Sequence, residues 1–583
     1  MKRQAIKIMT PDTRNMIAAA SLSMLVLVMW QLYFVEPELE QQRSDFNAAQ
    51  VQNDLPSASP ESGDASAVNT ATLQDMTARP SDDAMRVAID TPLVKGSLTT
   101  KGARIDDITL TAYQETLAED ADDITLLRKI SDSTPYFAEF GWIGDDTSIA
   151  LPDASTIWTA SSEILSSGND VTLTWDNGEG LIFNRVLSID DQYMITIRDE
   201  VTSATDETLR LLPYGLIRRY GTPQTTGIYI LHEGPIGVVD TTLKERGYDD
   251  LRSEVSEFKS EENGGWVGFT DKYWLTALIP NQAQKSNFTM RSLGGIEDRY
   301  QADYLGAPQI LSKGQTISYE SHFFAGAKVL TMIDAYSEEL AIPNFDLAID
   351  FGWFYFMTKP FFYAINWLNS LLGNFGVAIL AFTVFIRIVL YPLADKSYRS
   401  MAKMRALSPK LTKMREQHKD DRQKLNQEMM ALYRQEKVNP AAGCLPILLQ
   451  IPVFFALYKV LYVSIEMRHA PFFGWIKDLS EVDPTSIFNL FGLLPYSTAL
   501  IPDFLNIGLW PIAMGLSMFI QQKLNPPPPD PIQAKIFQWM PIAFTFLLAG
   551  FPAGLVIYWT WNNTLSIIQQ WYITRRIEKA MKS

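Results

Sequence analysis

Six stretches of this chain are apolar over lengths that suit a bilayer better than a protein interior, and five of them crowd into its last third. They cover residues 15–35, 371–393, 441–465, 504–522, 536–549 and 554–573. A helix needs about 20 apolar residues to cross the hydrocarbon, so 536–549 is short for a span and must pack closely on its neighbour. Between it and the last stretch lies Gly550-Phe551-Pro552-Ala553-Gly554, whose glycines and proline predict a tight turn between two helices. The expected fold class is a polytopic α-helical membrane protein with six transmembrane helices, carrying a large all-β sandwich domain outside the cell membrane.

Orientation follows from lysine and arginine in the short connecting segments. The N-terminus (1–14) is basic, with Lys2, Arg3, Lys7 and Arg14 before the first apolar run. That run lacks a small-x-small cleavage site and ends in Trp30-Gln31-Leu32-Tyr33-Phe34, so an uncleaved anchor is expected instead of a signal peptide. The segment 394–440 and the tail 574–583 are strongly basic as well. An odd number of crossings separates the first anchor from everything up to 370, and an even number returns both termini to the cytoplasm. The connection 523–535 falls inside and 466–503 outside. The net charge of −16, from 66 acidic and 50 basic residues, collects in the outside portion.

Residues 36–81 are rich in Ser, Ala, Gln, Asp and Pro and bury too little to offset their ordering entropy, so a disordered linker is expected. From 82 to 335 the pattern becomes short β-prone runs between turns: Ile105–Ala112, Val171–Trp175 before Asp176-Asn177-Gly178, Leu181–Ile189, Tyr193–Asp199 and Thr316–Phe324. These predict an antiparallel sandwich. His232-Glu233 and Arg218-Arg219 are the only pairs there that suggest catalysis, and no phosphate loop or nucleophile elbow accompanies them. No catalytic residue is expected. The aromatic density of 336–370, from Phe351 to Trp367, predicts an interfacial amphipathic helix. Cys444 is the sole cysteine and the four histidines are scattered, so neither a disulfide nor a metal site is expected, nor any cofactor.

Arg387 lies inside the second apolar run, where a charge costs roughly 2.5–3.5 kcal/mol at the bilayer centre. Two readings compete: its long side chain reaches the headgroups, or it faces a wet cavity inside the bundle. Amides in or near the other runs (Gln450, Gln522, Asn562, Asn563, Gln569, Gln570) favour the cavity. No Asp or Glu lies in any of the six runs, which argues against a proton-coupled solute transporter, and no repeated halves with broken helices suggest a channel or carrier. Lys459 is expected to snorkel outward toward Glu466. A tethered extracytoplasmic binding protein would explain neither the buried arginine nor the basic segment 394–440. There, Met401, Met404, Leu407, Leu411 and Met414 mark one helical face and Leu425, Met429 and Leu432 another, predicting an antiparallel hairpin kinked at Pro409. Met401, Met404, Met429 and Met430 would give it an adaptable apolar contact surface.

Several motifs resemble the YidC/Oxa family of membrane protein insertases in its Gram-negative form. They are Arg387-Ile388-Val389-Leu390-Tyr391-Pro392-Leu393, Ser400-Met401-Ala402-Lys403-Met404 and Gln427-Glu428-Met429-Met430-Ala431-Leu432-Tyr433. In the same order follow Lys437-Val438-Asn439-Pro440, Gly443-Cys444-Leu445-Pro446, Gln450-Ile451-Pro452 and Phe551-Pro552-Ala553-Gly554-Leu555. The resemblance implies a five-helix core after the anchor around a hydrophilic groove that opens to the cytoplasm and lipid. It implies that Arg387 lines the groove and that Thr383, Gln450, Gln522, Trp559 and, more weakly, Tyr558 contact substrate. It further implies a non-enzymatic β-supersandwich outside, a place in the Gram-negative inner membrane, and partners comprising nascent integral membrane proteins, the Sec translocon with its accessory subunits, the ribosome and membrane lipids, with no direct nucleic-acid specificity. The chain departs from the family pattern in its longer stretch from Asp483 to Asp503, which leaves the start of the fourth span open.

Overall fold

The computed structural model describes residues 84–582 apart from 145–148, 227–230, 295–296, 419–420, 437–444, 495–500, 502–505 and 526–530. The expected anchor at 15–35 and linker at 36–81 lie outside the described residues. Strand runs become two stacked sheets. Alternation explains why: Leu181–Ile189 buries every second residue, with Leu181, Phe183, Arg185, Leu187 and Ile189 turned inward. It pairs antiparallel with Val171–Asp176 across the Asp176-Asn177-Gly178 turn. There Gly178 takes φ +73°, and Asn177 Oδ1 accepts from the Glu179 and Leu181 amides.

The larger sheet has eleven strands among the described residues. Its main path runs Ser256–Phe258, Ser286–Ser292, Arg299–Gly306, Leu209–Tyr220, Tyr136–Gly144, Arg104–Gln114, Val94–Thr99, Arg86–Asp90 and Ile164–Leu165. The second has nine, with the hairpin Met194–Ser203 and Leu181–Ile189 beside Thr316–Ala327. Pairing is antiparallel except where Arg86–Asp90 meets Ile164–Leu165. Phe140 against Phe323, Tyr136 against Phe269 and Trp142 against Tyr319 interlock the two sheets edge to face.

Ten α-helices lie in chain order among the described residues: α1 Tyr248–Ser253, α2 Leu330–Glu339, α3 Tyr355–Leu372, α4 Phe375–Val389, α5 Tyr391–Gln417, α6 Arg422–Gln435, α7 Leu445–Val463, α8 Leu509–Leu524, α9 Pro531–Leu548 and α10 Ala553–Lys582. Helix α3 buries Phe362 and Ile365 and exposes Phe356 and Trp367, so it is amphipathic. The chain turns between α9 and α10 at the Gly550–Gly554 break. Close approach of α8 to α9 requires glycine at 515, where an added Cβ would lie 1.9 Å from Thr545 Oγ1.

The stretch 371–393 is not one straight helix. Leu371 and Leu372 finish α3, and α4 ends at Val389. Pro392, in the first turn of α5, cannot extend the α4 hydrogen-bond ladder, and the two helices meet at 67°. No single described helix is long and apolar enough to cross a membrane; the bent pair Phe375–Val389 and Tyr391–Leu407 passes jointly, and Gln450–Val463 and Ala534–Leu548 are apolar but shorter. Apolar side chains nevertheless face outward along the helical region: Phe385, Ile388, Leu516, Trp539, Leu547 and Ile568 are all exposed. An apolar surface this extensive is untenable in water and natural in lipid. Lys459 points the way expected but takes a different partner. It reaches the sandwich side of the molecule and pairs with Asp350 at 2.8 Å, since that carboxylate, next to the start of α3, lies closer than Glu466.

Candidate functional site

Arg387 leaves the last turn of α4 and turns into the helix bundle. Its Nε donates to Asn562 Oδ1 at 3.1 Å. Its Nη2 donates to the same oxygen at 2.6 Å, to the Asn562 carbonyl at 3.2 Å and to Ser566 Oγ at 2.6 Å. Asn562 and Ser566 stand four apart on α10, hence on one face, and both are buried. The Tyr398 hydroxyl of α5 is a further hydrogen-bond partner. Every one of these groups is neutral; among the described residues no carboxylate pairs with Arg387. Hydrogen bonds to a charged group contribute about 1.5–3 kcal/mol each, which offsets the cost of taking the guanidinium out of bulk water without neutralising it.

Around this centre the other expected positions sort into two groups. Thr383 sits one turn before Arg387, buried, with its hydroxyl donating to the Ile379 carbonyl of its own helix at 2.7 Å. Tyr558 is buried beside the arginine and joined to Gln450, whose Nε2 donates to the phenolic oxygen at 3.3 Å. These four therefore form one continuous patch over α4, α7 and α10. Trp559 turns to another side, edge-on to Phe454 at 4.6 Å and to Phe544 at 5.8 Å. Gln522 is half-buried on the last full turn of α8. Helix α8 joins α10 through Asn563 Nδ2 donating to Ser517 Oγ at 3.0 Å.

Sequence relatives bear on what such a bundle belongs to. Residues 86–364 match the YidC periplasmic domain and residues 367–580 the 60Kd inner membrane protein family. A membrane protein insertase YidC of Methylorubrum extorquens is 48% identical over 592 residues, covering 97% of this chain and 95% of its own length. The chain belongs to the YidC family of membrane protein insertases. A YidC of Brucella suis is 46% identical over 590 residues, with 97% and 96% covered. A crystal structure of an active YidC insertase aligns with 84% of this chain and 93% of its own, at 18% identity and a TM-score of 0.36. A galactose mutarotase related enzyme from Lactobacillus acidophilus aligns with 41% of this chain and 97% of its own, at 10% identity and a TM-score of 0.30. Neither alignment carries weight beside the sequence relatives. The family is one of bacterial inner membrane proteins without enzymatic activity, with an all-β periplasmic domain and a C-terminal helical region.

In this insertase the residue pairs that resembled catalytic groups hold the periplasmic sandwich together. The His232 amide donates to Asp350, Glu233 accepts from Thr226, Arg218 binds Gln301 and Arg219 binds Asp271. The hairpin of α5 and α6 forms, with α5 running through Pro409, and its core is Leu407, Leu411 and Tyr433 packed by Met404, Met429 and Leu432. Met401 packs instead on Ile573 of α10. Of the four methionines expected to make an open contact surface, only Met430 is exposed, because the hairpin core takes up Met404 and Met429 and α10 covers Met401. Ser566 and Tyr398 were not legible as site residues. The signal available for Ser566 was its position one turn after Asn562 on the same face of the last apolar run.

Proposed function

We propose that this chain inserts integral membrane proteins into the bacterial inner membrane through a hydrophilic groove centred on Arg387, using no cofactor and no chemical step. The observation that carries the reading is the neutral nest: a permanently charged guanidinium solvated by an amide, two hydroxyls and a carbonyl. An arginine keeps its proton at any physiological pH, so it can attract an acidic or polar client segment without relaying protons. Because neutral acceptors hold it, an arriving carboxylate can displace them and gain charge. The client's apolar segment then moves along the outward apolar face of the bundle into lipid, driven by burial of about 25 cal/mol per Å². The client carboxylate must leave again, and a half-hydrated site releases it more readily than a dry ion pair does.

The topology that suits this reading has six spans, with the anchor at 15–35 first and both termini in the cytoplasm. It leaves the basic α5–α6 hairpin inside, where ribosome and nascent chain arrive, and the sandwich outside, within reach of Sec translocon subunits; lipid surrounds the bundle. The test is complementation of a depleted strain, with protease protection of several clients as readout. Arg387→Ala is expected to lower insertion of acid-tailed clients about tenfold, and Arg387→Lys to retain part of it. Wild-type insertion of every client by Arg387→Ala would remove the charge from the mechanism.

A further inference from the structure

A short strip after α7 caps two bundle helices at once. Helix α8 starts at Gly508, which has no side chain to cap it, and its first amides are received from elsewhere. Leu509 N donates to Thr485 Oγ1 and Trp510 N to Asp483 Oδ2, both at 2.9 Å. The first amides of α10 are received by the same strip: Ala553 N by the Glu481 carbonyl at 2.7 Å and Gly554 N by the Leu479 carbonyl at 2.9 Å. Val482 and Pro552 also form an antiparallel bridge. Asp483 is the keystone. Its Oδ1 accepts from Thr485 N, Thr485 Oγ1 and Trp475 Nε1, it is buried, and its charge faces the positive end of α8. Gly508 is needed for the approach, since a Cβ there would lie 2.6 Å from the Asp483 carboxyl carbon.

The strip stands at the sandwich end of the bundle, where Ser480 is a hydrogen-bond partner of Tyr273. Helices α8 and α10 are also the pair joined deeper in the bundle by Ser517 and Asn563. We infer that 479–485 is the seal that closes the groove on the periplasmic side, with Asp483 as its positioning residue. This rests on the groove and topology proposed above. A helix start held in trans can be released without unfolding either helix, so the seal governs access from one side only.

The test uses the full chain in its membrane, with the sole cysteine replaced (Cys444→Ser) and a reporter, Thr383→Cys, at a buried position of the groove patch on α4. A membrane-impermeant maleimide is supplied from either side. Asp483→Ala is expected to speed labelling from the periplasmic side about fivefold, the scale of one lost helix cap, and to leave labelling from the cytoplasmic side unchanged. Unchanged periplasmic labelling, or an equal rise from both sides, overturns the seal. If Asp483→Ala fails to accumulate, Gly508→Ala decides with the same two outcomes, because it crowds the carboxylate while keeping every acceptor. Arg387→Ala separates this inference from the groove itself: its periplasmic labelling should match the parent, and a fivefold rise there would count against the strip as the seal. Loss of insertion in Arg387→Ala with sealed labelling supports both; normal insertion removes the groove reading and leaves the labelling result standing.

Discussion

The two regions of this insertase follow different rules for their arginines: in the sandwich three buried ones meet carboxylates, while Arg218 bonds to the Gln301 amide, and in the helical region Arg387 meets no carboxylate among the described residues. In the sandwich, Arg185 meets Asp199 through two bonds of 2.6 and 3.0 Å, Arg104 meets Glu139 at 2.7 Å and Arg291 meets Asp303 at 2.7 Å, all of them buried. In the helical region, Arg387 has only neutral partners. A cation matched by a carboxylate is committed to the fold; one held by amides and hydroxyls keeps an unspent charge. The largest expected effect follows from the first rule. Asp199→Ala strands Arg185 and should destabilise the sandwich by about 3–5 kcal/mol, seen by urea unfolding of the detergent-solubilised chain followed by tryptophan fluorescence. Arg387→Ala, measured in the same way, should change stability by about 1 kcal/mol or less. Equal losses in the two variants would erase the distinction.

A third cation sharpens the contrast. Lys328 is buried in the sandwich, and its Nζ donates to the neutral Thr270 Oγ1 at 2.8 Å. Burial pushes its ammonium down to about 8, against the opposing pull of Asp271, Asp350 and Glu233. Desolvation thus loosens the proton of this ammonium even with three carboxylates nearby. The unfolded chain binds the proton more tightly, so stability rises with pH between about 8 and the ordinary lysine value near 10.4, by at most about 3 kcal/mol in total. Urea midpoints taken across that window should climb in the wild type, and Lys328→Met should flatten the climb. A wild-type midpoint that stays level would mean the ammonium is better solvated than its surroundings indicate.

Converting the helical nest to the sandwich rule is the next test. Asn562→Asp keeps the shape of the side chain and places a carboxylate where Arg387 Nη2 now approaches to 2.6 Å. Insertion of acid-tailed clients should fall about tenfold, since the client no longer meets a free charge, while thermal stability should hold or rise. Unimpaired insertion would show that the arginine's charge is not what draws the client.

Local pattern decided what could be seen in advance. The strand Leu181–Ile189 and its Asn177-Gly178 turn are written in period-2 alternation and turn chemistry, and the break at 550–554 in glycine and proline. Each of these depends on neighbours a few residues away. The centre of the site does not: Arg387 finds Asn562 and Ser566 across 175 and 179 residues, and nothing local to either announces the other. The methionines of α5 and α6 show the reverse error, since a helical stripe of apolar residues looks the same whether it faces a partner helix or solvent. Lys459 was placed from depth alone, and a carboxylate from a different segment, Asp350, became its partner. The bend at Leu390 could be anticipated from Pro392, but not its 67°.

The smallest expected effect tests how far the neutral nest extends. Thr383 lies one turn from Arg387, yet its hydroxyl proton is already given to the Ile379 carbonyl. Such a back-bond satisfies the hydroxyl within its own helix and leaves only a lone pair to offer a client. Thr383→Val preserves volume and removes that lone pair, so insertion should change by less than about twofold and stability by less than about 1 kcal/mol. Thr383→Ala instead removes buried volume next to Ile379, and any larger loss it causes is a packing effect. If the valine variant loses as much insertion as Arg387→Ala, then the hydroxyl contacts the client directly, and the groove is wider along α4 than the hydrogen bonds of Arg387 mark out.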